Sequence, residues 1–230
     1  MAAPQSRILA AGFAAGCGAL MLFAWFAGAV MRGATIQLDT SVRNTVHSWA
    51  TPRLTYVMRG ITQFGSTAVL LLFPTILVWA LLRDGRRTAA VIVVAGVGGA
   101  EILDQLLKLL FHRARPEVFI GEQPLSYSFP SGHAVASCCF YGIAAAILSA
   151  RIGSCLGKAL VWIGAALLVV AIGLSRVYLG VHYPSDVMAG YAGAVVWVTA
   201  VRAAYEISRR RVTADSSTSP QRPSRPADSG

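Results

Sequence analysis

Charge is what this chain has least of. Only 13% of its 230 residues are Asp, Glu, Lys or Arg, and mean hydropathy is +0.59, above the usual range of soluble domains. Acidic residues are the scarcer sign, ten in all. They form no cluster of the kind that holds Mg²⁺ or a pair of metals, so no metal and no cofactor is expected. Four cysteines, Cys17, Cys138, Cys139 and Cys155, include no CxxC pair and no His–Cys ligand spacing. Three lie in apolar runs and Cys155 in a short loop, which excludes a disulfide framework. No segment resembles a nucleic-acid module, although the net charge is +10. The basic residues fall between apolar runs, where membrane topology and anionic headgroups account for them.

What the chain has in abundance is apolar length. Six runs are long enough to approach a bilayer core: about Ile8–Met31, Thr67–Leu82, Thr88–Phe111, His133–Ala150, Lys158–Leu174 and Val187–Tyr205. Helices are the spanning element such runs imply. The expected fold is therefore all-α: a polytopic bundle of six transmembrane helices within one membrane domain, residues 1–206. The first run lacks a polar cleavage region and reads as a retained anchor at about 8–31. The core follows at 67–206.

Between these lies an amphipathic segment, 32–66, with Ile36, Leu38, Val42, Val46, Leu54, Val57 and Ile61 among polar residues. Its helical spacing predicts one or two interfacial helices, with Trp49 and Tyr56 at headgroup level and His47 interfacial. Residues 207–230 form a basic, Ser/Pro-rich tail with no apolar periodicity, expected to be disordered. With six spans, one side holds twelve Lys and Arg residues and the other eight. The positive-inside rule then places both termini in the cytoplasm.

Three segments converge on the outer side: "KLLFHRARP" at Lys108–Pro116, "PSGH" at Pro130–His133 and "SRVYLGVHYPSD" at Ser175–Asp186. Ionisable residues at membrane depth are costly, and their first reading is functional. Lys108, Arg113, Arg115 and Arg176 suit a tetrahedral oxyanion. Ser131 is a good N-cap residue for the fourth span. With Gly132 it would open a helix whose free N–H groups bind an anion, expected to be phosphate. Pro184 suits the first turn of the sixth helix. Asp186 can then reach back to one ring nitrogen of His182, leaving the other free to attack. His133 would protonate the leaving oxygen. The chemistry is phosphoryl transfer through a phosphohistidine.

At these residues the chain resembles the type 2 phosphatidic acid phosphatase superfamily. Its signatures Lys-x6-Arg-Pro, Pro-Ser-Gly-His and Ser-Arg-x5-His-x3-Asp are matched at Lys108 to Arg115-Pro116, at Pro130–His133, and at Ser175-Arg176 to His182 and Asp186. The resemblance covers about Ser66–Tyr205, and the first span looks like that of six-span bacterial members. It implies a lipid phosphate or diphosphate monoester as substrate, of the undecaprenyl diphosphate, phosphatidic acid or phosphatidylglycerophosphate type. It places the site on the outer face of the bacterial cytoplasmic membrane. It carries over His182 as nucleophile, Asp186 as its partner, His133 as acid, Lys108, Arg115 and Arg176 as phosphate ligands, and Ser131 and Gly132 as helpers. A lipid phosphotransferase would use the same residues, and a non-catalytic lipid-phosphate carrier would need the cations but no nucleophile.

Other residues get plainer readings. Asp104 stands four residues before Lys108 on one helix face and is expected to pair with it. Glu101 is expected to bond a neighbouring helix. Arg113 reads as a headgroup contact or an interfacial anchor, His112 as rim filler, and Tyr178 and Tyr183 as aromatic-belt residues.

Overall fold

Each expected span corresponds to a helix. The computed structural model describes residues 3–218 and holds eight α-helices there, with no strand among the described residues. They are α1 (Ala3–Met31), α2 (Ile36–Ser48), α3 (Pro52–Gln63), α4 (Thr67–Arg83), α5 (Arg87–Phe111), α6 (Gly132–Ser149), α7 (Cys155–Tyr178) and α8 (Pro184–Thr218). Local chemistry sets several boundaries. The hydroxyls of Thr51, Ser66 and Ser154 accept from the N–H groups of Leu54, Val69 and Gly157 at 3.2, 3.5 and 3.1 Å, capping α3, α4 and α7. Pro52 stands at the start of α3, where a missing N–H costs nothing. α5 stops at His112, which adopts a left-handed conformation (φ 46°) while its N–H donates to the Lys108 carbonyl. His112, expected as rim filler, thus ends a helix.

Five helices, α1 and α5–α8, each contain a stretch long and apolar enough to cross a membrane. α4 has 17 residues, about 26 Å of helix. It qualifies together with α3, from which it bends by 44°. The spans therefore number five, or six with that broken pair, and the chain is a multi-pass membrane protein. Its outer surface fits lipid as solvent. Leu71, Ile76 and Trp79 on α4, Val94, Ile102 and Leu109 on α5, and Leu160, Ile163 and Leu167 on α7 are all exposed. A water-facing surface rarely carries so continuous an apolar cover.

α6 is the central helix. Its spanning window is 44% buried, against 11% for α7, and it packs on α5, α7 and α8. Small residues on α6, among them Ala134, Ala136 and Ala145, are buried and allow this close approach. α1 lies along α8. Trp197 of α8 fastens to α5 by donating its indole N–H to the carbonyls of Ala95 and Gly96.

The interfacial segment forms two helices, as its spacing predicts, with an unexpected division of faces. Ile36, Leu38 and Val42 of α2 are exposed, whereas Asp39, Arg43 and Val46 are buried. α2 turns its charged face inward, onto α7 and α8. The sixth span also differs in extent. It starts at Pro184 and runs to Thr218, beyond the expected end at Tyr205. Of the expected tail, 207–218 continue the helix and 219–230 lie outside the described residues.

Candidate active site

Where α5 ends, its chain runs through residues 112–131 before α6 begins, and α7 and α8 meet nearby through residues 179–183. Backbone hydrogen bonds lock these connections together. Phe119 and Ile120 N–H donate to the Leu179 carbonyl, Ser128 N–H to Arg113, and Ser131 N–H to Asp186. Gly180 (φ 83°) turns the α7–α8 connection, and a Cβ there would strike the Phe119 ring and backbone. From α2, Arg43 donates to the Glu117 carbonyl and lies 3.9 Å from the Phe119 ring centre. Burial holds the Arg43 guanidinium below its ordinary pKa.

The resulting hollow has a volume of about 360 Å³, within the range of small-ligand sites. Lys108, Arg115, Gly132, His133, Arg176, His182 and Asp104 all line it. The three signature segments are therefore neighbours in space. The cavity continues between α4 and α5 along Leu70, Leu71, Val97 and Gly98, with Glu101 and Gln105 on its wall. Ser131, Asp186 and Arg113 are not on its lining; they stand behind it.

Each cation is held. Lys108 Nζ is 2.5 Å from Asp104 Oδ2, the expected one-turn pair. α6 starts hard against that pair, since a Cβ on Gly132 would be 2.8 Å from Asp104 Oδ2 and 3.0 Å from Lys108 Nζ. Arg176 donates to Thr62 Oγ1 on α3 at 2.9 Å, and its Nε has no partner. Arg115 donates to the carbonyl and hydroxyl of Ser126, to the Val181 carbonyl, and to His182 Nε2 at 3.1 Å. Burial lowers the Arg115 pKa, opposed by Asp186 and Asp104. Glu101 accepts from Gln105 on its own helix at 3.0 Å, in place of the expected bond to a neighbour.

His182 is 2% exposed. Burial pushes its pKa well below the ordinary histidine value. Arg115, Arg176 and Lys108 add to that push, and a backbone hydrogen bond at Ser128 opposes it. With Arg115 donating to Nε2, the proton belongs on Nδ1, a tautomer inferred from its partners. Nδ1 faces Asp186 Oδ2 at 3.4 Å and has no hydrogen-bond partner. Asp186 is thus in place as expected but stands just beyond bonding distance. Its Oδ2 is already engaged by Ser128 Oγ at 2.5 Å and Tyr183 N–H at 2.9 Å.

Four further expectations need correction. Arg113 is no headgroup contact: it donates to Asp186 Oδ1 at 2.5 Å and Asp39 Oδ2 at 2.8 Å, with its side chain only 11% exposed. The Ser131 hydroxyl does not cap α6. It is fully buried without a partner, although Ser131 stands at the N-cap position. Tyr178 is buried, not in an aromatic belt, and its hydroxyl is 2.8 Å from Thr55 Oγ1. Tyr183 lies under the Arg113 guanidinium, 4.2 Å from ring centre to charge. Residues missed altogether are Asp39, Ser185 and Thr62, while Ser128 reads from the sequence only as a polar-loop residue within reach of a headgroup. The one sequence signal for Asp39 was its helical spacing with Arg43 and Val46.

Known proteins resemble this chain in both sequence and fold. Residues 89–210 match the family model described as the PAP2 superfamily. Phosphatidylglycerophosphatase B of Bacillus subtilis is 30% identical over 173 residues, covering 75% of this chain and 85% of that protein. Decaprenylphosphoryl-5-phosphoribose phosphatase of Mycobacterium tuberculosis is 35% identical over 150 residues, 63% of this chain and 77% of the other. The solved transmembrane PAP2-type phosphatidylglycerolphosphate phosphatase of Bacillus subtilis superposes with a TM-score of 0.77 at 27% identity, over 84% of this chain and 96% of that one. With this match of family model, relatives, fold and converging signatures, the chain belongs to the PAP2 superfamily, that of the type 2 phosphatidic acid phosphatases.

Proposed function

We propose that this protein is an integral-membrane phosphatase that hydrolyses lipid phosphate or diphosphate monoesters through a phosphohistidine on His182. The observation that carries this reading is one cavity lined by three basic side chains, Lys108, Arg115 and Arg176, and by two histidines, His133 and His182. Cations alone would suffice for a carrier. A buried neutral imidazole beside them supplies a nucleophile.

The substrate phosphate binds among Lys108, Arg115 and Arg176, with the first N–H groups of α6, beside Gly132 on the cavity wall, as further donors. Arg115 now covers His182 Nε2, so the arriving phosphate must take over that guanidinium. Nε2 then attacks phosphorus, the P–O bond to the lipid portion breaks, and His133, protonated once the anionic phosphate lies beside it, gives its proton to the leaving group, an alcohol from a monophosphate or a lipid monophosphate from a diphosphate. His182 gains positive charge in this step, which Asp186 opposite Nδ1 stabilises. His133 next takes a proton from water, the water oxygen attacks phosphorus, and the P–N bond breaks to release phosphate and neutral His182. Asp104 holds Lys108 in place. No metal enters the scheme, because Asp104 and Asp186 are committed to Lys108 and Arg113.

The apolar extension between α4 and α5 suits the hydrocarbon part of a lipid. Phosphatidylglycerophosphate, phosphatidic acid and undecaprenyl diphosphate all carry the terminal phosphate this site would read. The reading includes a cytoplasmic position for both termini and a site on the outer face of the membrane.

The test is a panel of these lipids in detergent with chelator, comparing the native protein with His182→Ala. Phosphate release in chelator, lost about 10³-fold or more in the variant, is expected. A fully active His182→Ala would overturn the nucleophile assignment, and a chelator-abolished native activity would overturn the metal-free scheme.

A further inference from the structure

The mechanism uses Asp186 but leaves unexplained what surrounds it. Asp39, on the interfacial helix α2, is 2% exposed and faces inward. It accepts from the Ser185 backbone N–H at 2.9 Å, from Ser185 Oγ at 2.6 Å and from Arg113 at 2.8 Å. Arg113 in turn donates to Ser185 Oγ at 2.8 Å and to Asp186 Oδ1 at 2.5 Å. One guanidinium therefore bridges two buried carboxylates, and one of them is the partner of His182. Ser185 is the residue before Asp186, so Asp39 grips the first turn of α8 by its backbone as well as by a side chain.

We propose that Asp39 and Arg113 are positioning residues for the nucleophile: Arg113, held by Asp39 from a helix outside the signature segments, fixes the Asp186 carboxylate and through it the angle of the His182 ring. The inference rests on the phosphohistidine reading above and adds the residues that keep it aligned. Three features favour it over simple packing. Asp186 is fully buried, and a carboxylate there needs a cation, which Arg113 supplies with one prong of its fork while the other prong holds Asp39. Arg113 leaves Asp186 Oδ2 free for its contacts with Ser128, Tyr183 and His182 by engaging Oδ1 alone. Asp39 also fixes the Arg113 guanidinium in place, by holding the second prong of its fork. α2 would thus be part of the catalytic apparatus, although it lies outside residues 89–210 that match the family model.

A positioning residue should act on kcat and only through the group it positions. The test is a kinetic double-mutant cycle of Asp39→Asn and Asp186→Asn in the full-length protein, with phosphatidic acid in detergent micelles. Asp39→Asn alone should lower kcat about tenfold or more, the usual cost of a lost supporting contact, with KM within about threefold. On the Asp186→Asn background it should change kcat less than about twofold, since the group it positions is gone. Three results would overturn the proposal: native kcat in Asp39→Asn, a loss expressed in KM, or an equal loss on both backgrounds. If Asp39→Asn does not purify as a monodisperse species, Ser185→Ala removes the Oγ link between Asp39 and Arg113 and is read by the same criteria. Native kcat in Asp186→Asn itself would overturn the phosphohistidine alignment along with this inference, whereas a damaged Asp186→Asn beside a native Asp39→Asn would overturn this inference alone.

Discussion

The two ends of this helical bundle are both rich in arginine, and they use it differently. At the end where α4 meets α5, Arg151 pairs with Asp84 at 2.6 Å, with both side chains more than half exposed (55% and 51%). Arg83 lies over the Trp79 ring at 4.5 Å, an anchor at a membrane edge. At the site end, Arg113 pairs with Asp186 at a similar distance, but the exposures are 11% and 0%. An exposed pair contributes at most about 1 kcal/mol. A buried pair leaves a bare charge when either partner is removed, and the penalty is several-fold larger. Arginine content therefore does not mark the site. What marks it is cations withdrawn from solvent and fixed by buried acceptors, around a space that holds no side chain.

That contrast can be broken in graded steps. The largest effect should come from His182→Ala, about 10³-fold or more in kcat, measured by phosphate release. Gly132→Ala comes next. Its methyl would press on the Asp104–Lys108 pair and push Lys108 from its place on the cavity wall, and activity should fall about 10–100-fold, with most of the loss in KM. Replacing Asp104 with Asn should free Lys108 and raise KM about tenfold with a smaller change in kcat; native KM there would leave Asp104 as a mere polar lining.

A pH experiment comes after these. Burial holds the folded His182 pKa below the ordinary value of about 6.5. As pH falls below about 6.5, the unfolded chain takes up a proton that the folded chain refuses, so stability declines. The melting temperature in detergent should drop between about pH 7 and pH 5, and His182→Asn should flatten part of that slope. An identical slope in the variant would place the charged form of His182 within the folded protein. The smallest effect belongs to the opposite end. Arg151→Ala should change stability by less than about 1 kcal/mol and leave phosphate release unchanged.

The sequence made the side chains that line the cavity legible before the scaffold that holds them. Lys108, Arg115, His133, Arg176 and His182 could be found because each is an expensive residue at the mouth of an apolar run. The Asp104–Lys108 pair followed from helical spacing alone. The six runs and the two interfacial helices were equally readable. What stayed hidden needed three dimensions. Asp39 and Ser185 are 146 residues apart, and no local pattern says that an interfacial helix turns its acidic residue toward another span. Arg113 looked like a surface anchor because its two carboxylates come from α2 and α8, neither near it in sequence. Ser131 has the residue type of a helix cap, yet its hydroxyl is uncommitted, a matter of side-chain rotation that composition does not encode. The length of α8 escaped because the polar residues after Tyr205 have no apolar period to announce a helix.

The central claim is a covalent one, that phosphate passes through His182. The direct measurement is a rapid quench of the detergent-solubilised protein with lipid labelled at its terminal phosphate, followed by alkaline handling, which preserves phosphohistidine, and mapping of the label by mass spectrometry. The account predicts label on the peptide containing His182, absent from His182→Ala and retained in His133→Ala. Label on His133, or turnover with no labelled histidine at any quench time, would contradict it.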